Sequence, residues 1–258
     1  QWWAHQVIGA DQQGSTLLSE SFAQYGAMLV MEKLYGAPMM RKFLKVSLDR
    51  YLRARGGEVV EELPLVRVEN QPYVHYEKGA LTMWWAKEAI GEDKVNRALQ
   101  RLLERYAFKP APYPNAADFV KLLREEAGPQ HQQLITDLFE NITLYDMKAS
   151  DATATKRADG KYTVRFTVTG RKLYADGKGV EREAPLDEMF ELGVFDAEPG
   201  KKGFSERSVI SFERRALKGG KTVVEFVADR LPTHVGVDPY NKRIDRNSDD
   251  NLAKVAAG

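Results

Sequence analysis

The spacing of apolar residues changes once along the chain, near residue 141, and that change limits the fold more than any other feature. Before it, apolar residues recur at helical intervals. Leu18, Phe22, Tyr25 and Leu29 form one stripe of a helix expected over 14–34, because residues three or four apart share a helix face. Leu17, Ala27 and Met31 lie off that stripe, and a helix that is apolar on several sides is one that a fold buries. A second helix is expected over 39–53, with Phe43, Val46 and Leu48 inward, ended by Arg55-Gly56-Gly57. Residues 58–73 contain Pro64 and Pro72 and read as an ordered loop. Helices resume over 75–90 and 93–106, and a short one is expected over 131–139. Between them, Asn115 followed by Asp118 has the pattern of a capping box with Asp in place of Glu, starting a helix that ends at Gly128.

After residue 141 the period becomes two. Residues 162–168 alternate apolar and polar, and further strands are expected at 190–195, 208–213 and 222–227. Asp159-Gly160, Asp176-Gly177 and Gly219-Gly220 mark turns. Six or seven short strands in about 95 residues fit an antiparallel β-sandwich of immunoglobulin-like size. The expected fold class is therefore α+β in two domains: a mostly helical domain over 1–140 and a β-sandwich over 141–258.

Composition removes several functions. The 258 residues carry 38 Lys and Arg against 37 Asp and Glu, so no bias toward nucleic acid or an anionic membrane is expected. The absence of cysteine rules out a disulfide framework, a thiolate metal site and a cysteine nucleophile. The most apolar run, 25–35, is broken by Glu32 and Lys33 and is far short of the roughly 20 residues needed to span a bilayer. The chain opens on Gln1-Trp2-Trp3 with no signal peptide. It reads as a soluble fragment of a longer protein.

Two residues have the chemistry of a site. Glu20 lies in a helix among Leu17, Leu18, Ala23 and Ala27. A carboxylate buried there must be paired, protonated or metal-bound, because an isolated buried charge costs several kcal/mol. On helix pattern alone, an exposed edge or an arginine partner is the commoner reading. Tyr76 sits in Val74-His75-Tyr76-Glu77-Lys78-Gly79-Ala80. A tyrosine hydroxyl can donate to a developing oxyanion, although alone it is more often a half-buried aromatic with a backbone partner. The four histidines, His5, His75, His131 and His234, form no His-x-x-x-His pair, and His5 reads as structural. Residues 245–251 resemble the start of a calcium loop but lack its glycine and terminal glutamate, so a solvated polar turn is expected. There is no glycine-rich phosphate loop and no nucleophile elbow.

The run Gln1-Trp2-Trp3, then Leu18-Ser19-Glu20-Ser21-Phe22-Ala23-Gln24-Tyr25, then Tyr76-Glu77-Lys78-Gly79-Ala80, resembles the gluzincin zinc aminopeptidases related to aminopeptidase N. The resemblance extends to about residue 127 and implies a thermolysin-like C-terminal helical subdomain. It implies Glu20 as third zinc ligand and Tyr76 as stabiliser of the tetrahedral intermediate, with zinc as cofactor and a peptide as substrate. The likeness is greatest to peptidase domains joined to bacterial ABC-transporter permeases, which end in a strand similar to 235–240 here. This implies a parent at the bacterial inner membrane with an extracytoplasmic peptidase domain and a permease segment as partner.

The departures also carry expectations. The family's His-Glu-x-x-His segment is absent, and the chain begins where the residue after its second histidine would stand. Glu20 then falls one residue later than the family spacing. Ser19 and Ser21 replace the usual Asn and Gly. The missing N-terminal part of the same protein would have to supply the other ligands. The chain by itself is expected to bind no zinc and to be inactive, since one carboxylate is not a zinc site. The alternative is a parent that has lost catalysis and kept the fold as an interaction or regulatory domain of a membrane transporter.

Overall fold

Helix α3 (Gly79–Ile90) organises the first half of the protein. In the computed structural model, which describes Trp3 and residues 6–257, Ala80, Leu81, Met83, Trp84, Trp85, Ala86 and Ile90 are all buried. A helix apolar all round must be enclosed, and its neighbours bring matching faces. Helix α1 (Phe22–Tyr35) buries Phe22, Tyr25 and Met28. Helix α4 (Glu92–Tyr106) buries Val95, Ala98, Leu99 and Leu102, an i, i+3, i+4, i+7 stripe. Helix α5 (Ala116–Ala127) starts at the expected capping box. The Asn115 side chain accepts from the Ala117 and Asp118 amides, and the Asp118 carboxylate accepts from the Asn115 amide at 2.9 Å. It ends at Gly128, whose φ of 84° suits only glycine without strain. Helix α2 (Ala37–Gly57) and the short α6 (Gln132–Ile135) complete the helices.

Three of the expected helices contain a different local geometry. Leu17–Ser21, Tyr73–Lys78 and Thr136–Glu140 are π-helical. The helix expected over 14–34 is thus a π-helical turn running into α1, and the one expected over 75–90 is a π-helical turn running into α3. The loop between α2 and α3 is ordered, as expected. Gln71 pins it at both faces of its amide, accepting from Leu63 N at 3.0 Å and donating to Glu61 O at 2.8 Å.

The strands form two sheets. β1 (Ile142–Lys156), β2 (Tyr162–Ala175), β3 (Glu181–Ala184), β6 (Gly220–Ala228) and β9 (Ala256–Ala257) make one, ordered β3-β2-β1-β9 with β6 also beside β2. β4 (Asp187–Phe195), β5 (Val209–Lys218), β7 (His234–Val237) and β8 (Leu252–Lys254) make the other, ordered β5-β4-β7-β8. Pairing is antiparallel for β2–β6, β4–β5, β4–β7 and β7–β8, while β9 runs parallel to β1. Among the described residues there are nine strands where six or seven were expected. Phe166, Phe190, Val194, Val224, Phe226 and Val235 belong to one apolar core, with Phe166 and Phe226 stacked at 5.9 Å. The architecture is an α+β fold in two parts.

The chain divides into two compact units, and not at a single point. One unit comprises the chain to Leu34, Phe43–Thr143 and Tyr174–Glu181. The other comprises Tyr35–Lys42, Leu144–Leu173 and Arg182 onward. Inside the second unit, Arg41 Nε donates to Pro239 O at 2.7 Å, which ties the start of α2 to a loop some two hundred positions away. Among the described residues, no helix is long and apolar enough to cross a membrane.

Candidate functional site

Glu20 and Tyr76 lie on two of the π-helical turns, Leu17–Ser21 and Tyr73–Lys78, both in the first unit. A π-helical turn holds one residue more per turn than its flanking helix and recurs at functional sites. Leu17, Leu18, Ser19 and Ser21 are buried around Glu20, which is itself half-buried. Tyr76 is 39% exposed. Its phenol is held above the usual tyrosine value first by a hydrogen bond to the Glu20 carboxylate, then by burial and by the Glu20 charge. The fold therefore brings together the two residues singled out in the sequence. Glu20 has a tyrosine for its partner, not an arginine.

Two further residues belong to this group. His75 is 5% exposed, its ring meets the Tyr76 ring edge-on at 4.5 Å, and its Nδ1 has no hydrogen-bond partner among the described residues. Burial lowers its pKa, while the charges of Glu20 and then Glu69 pull it up; the net direction is down, so the ring is neutral. Glu69 is held in place by Ser15, whose amide and hydroxyl donate to its two carboxylate oxygens at 3.0 and 2.6 Å. His75 was legible only as the neighbour of Tyr76, and nothing in the pattern around Glu69 marked it.

The two turns are tied directly to each other. Ser21 Oγ donates to His75 O at 2.5 Å inside the protein. Gly79 follows the second turn, and a Cβ there would overlap the Ser21 side chain. Close approach of the turns therefore requires glycine at this position.

Zinc requires three protein ligands at fixed geometry. Among the described residues, no group of three His, Cys, Asp or Glu side chains could hold a metal ion. Glu20 with a phenol and a neutral imidazole falls short of a zinc site, so no step through zinc is derived from these residues. His5, Gln1 and Trp2 lie outside the described residues. A cavity of about 420 Å³ in the same unit is lined by residues that include Arg55, Glu58, Glu62, Tyr73 and Lys178, but by neither Glu20 nor Tyr76.

Residues 245–251, which resembled an incomplete calcium loop, are part of the second unit. Asp245 is fully buried and accepts from Met147 N and Asn247 N at 3.1 and 3.0 Å. This carboxylate staples the loop to β1, while Arg246, Asn247 and Asp249 are exposed, so the expected polar turn is solvated only in part.

No protein-family model matches the sequence, and no curated protein matches it. Among solved structures, the chain is similar to the crystal structure of Legionella pneumophila aminopeptidase A in complex with aspartic acid. The TM-score is 0.49 at 14% identity, with 93% of this chain covered and 25% of that one. The chain thus spans about a quarter of the length of that protein. A likeness of this strength carries no argument about activity.

Proposed function

We propose that the chain carries part of a hydrolytic site for peptide bonds, with Tyr76 as the hydrogen-bond donor to the developing oxyanion. The observation that supports this is the direct tie between the two turns, Ser21 Oγ donating to His75 O at 2.5 Å, which brings Glu20 close enough to raise the Tyr76 phenol. It joins two residues distant in sequence, each set in a π-helical turn. A donor to an oxyanion must keep its proton until the tetrahedral intermediate forms. A tyrosine with the ordinary pKa of about 10 is already protonated at neutral pH, and the Glu20 partner raises it further. Its partial exposure leaves the hydroxyl open to a substrate carbonyl.

In this reading Glu20 also supplies one ligand of a zinc site in the longer protein, completed by a His-Glu-x-x-His segment of that chain. A peptide is the substrate, and the compartment is the extracytoplasmic side of a bacterial inner membrane. The test is Glu20→Gln in the full-length gene product. Zinc content and hydrolysis of an aminoacyl anilide and an internally quenched peptide are measured. The expected result is loss of bound zinc and of hydrolysis. Retained zinc with hydrolysis at the wild-type rate would overturn the reading.

A further inference from the structure

Lys78 ends the π-helical turn that carries Tyr76, and it is 1% exposed. Its Nζ pairs with Glu62 Oε1 at 3.2 Å, and Glu62 is 3% exposed. Glu62 is fixed in turn: Tyr51 OH donates to Oε1 at 2.6 Å and Arg55 Nε to Oε2 at 2.7 Å. Arg55 continues to Glu181 at 3.0 Å. Lys78 therefore reaches an immobilised acceptor deep in the first unit.

Stability does not account for this pair. Taking both charges out of water costs several kcal/mol per ion, and well-packed apolar residues of similar volume often serve as well or better. What such a pair can do is fix one arrangement of the backbone against its alternatives. The alternative here is concrete. Gly79 N–H donates to Val74 O, five residues back, which is the π-helical bond. If the turn relaxed to α-helical pairing, the residues on one side would slip by one position, a rotation of about 100°. Tyr76 would then turn away from Glu20. Lys78 meets its buried carboxylate in the π-helical arrangement, and Ser21 grips the His75 carbonyl in the same turn.

We propose that the buried Lys78–Glu62 pair is a positioning device for Tyr76, holding the π-helical register that aims the phenol at Glu20. It rests on the Glu20–Tyr76 pairing of the proposed site, and not on zinc or on hydrolysis. Lys78 acts through the backbone of the turn. It accounts for the lysine beside Tyr76, as the close approach of Ser21 accounts for Gly79.

The test uses the 258-residue chain with tyrosine labelled by ¹³C at Cζ, the Tyr76 signal being assigned with Tyr76→Phe. The response read is the shift of this signal on Glu20→Gln, which is expected in the wild-type background. Lys78→Met leaves Glu62 with Tyr51 and Arg55 as partners; it is expected to fold with a lowered melting temperature, because removing one partner of a buried pair is destabilising, and to lose most of the Tyr76 response. Should Lys78→Met not fold, Glu62→Gln decides, because it keeps the volume and an acceptor for Tyr51 while removing the charge; the same loss is expected. A folded variant of either kind with the wild-type Tyr76 response would overturn the positioning role, even if its melting temperature fell. A wild-type signal indifferent to Glu20→Gln would overturn the pairing itself, and the positioning role with it, a result distinct from a failure to bind zinc or hydrolyse peptides.

Discussion

The Glu20 carboxylate acts on both Tyr76 and His75. It accepts from Tyr76 and raises that phenol, and its charge opposes the lowering of His75 by burial. The imidazole has a measurable consequence. Its folded-state pKa is depressed, so on acidification the unfolded chain takes up a proton first, near the ordinary histidine value of about 6.5. The stability contributed by neutral His75 is present above that pH and is lost as pH falls through the folded value. Asp238 and Asp245 work in the opposite direction. Burial raises them to about 6 and about 7, so they favour the folded state as pH falls. The difference between wild type and His75→Gln isolates the histidine. Denaturant titrations between about pH 5 and 8 are expected to show the wild type losing more stability than His75→Gln on acidification. Parallel curves would contradict the buried, neutral assignment. The pairing of Glu20 was legible as a requirement, since a carboxylate among Leu17, Leu18 and Ala23 needs a partner, but the pattern could not name Tyr76.

Elements were legible where one period runs through them. The stripe of α4 and the Asn115 capping box of α5 follow local rules, and the structure has them at the expected places. The alternation of β2 and β6 follows from one buried and one open face. β1 was not read as a strand. Its buried residues include Ala149, Ala152 and Ala154, and the three-residue step past Asp151, which has a φ of 52°, breaks the period of two. The π-helical turns had no signature either, because their geometry follows from tertiary contacts and not from a periodic pattern. Those contacts can be tested at Gly79. A Gly79→Ala methyl overlaps Ser21, and such overpacking typically costs about 1–3 kcal/mol. Replacing Ser21 by Gly removes the obstacle. The double variant Ser21→Gly/Gly79→Ala is expected to be more stable than Gly79→Ala alone in chemical denaturation. A double variant that simply adds the two single losses would show that the turns are not in contact.

At the scale of the whole molecule, the switch of period at 141 correctly announced helices followed by sheets. It could not announce that residues 35–42 and 174–181 each cluster with the other part of the chain, because such exchanges are made by long-range contacts. The site has the same character. Its helices are local, but Glu20, His75 and Tyr76 meet only when the π-helical turns at 17–21 and 73–78 pack together. In the proposed reading their chemistry is completed by residues outside this chain, and there the oxyanion role of Tyr76 would separate from a packing role. Removing one preorganised oxyanion donor lowers kcat by about 10²–10³ and leaves ground-state binding largely intact. The most direct measurement is steady-state hydrolysis of a peptide substrate by the full-length protein and its Tyr76→Phe variant. The account predicts a kcat reduced by about 10²–10³ with KM nearly unchanged; an unchanged kcat in a folded variant would contradict it.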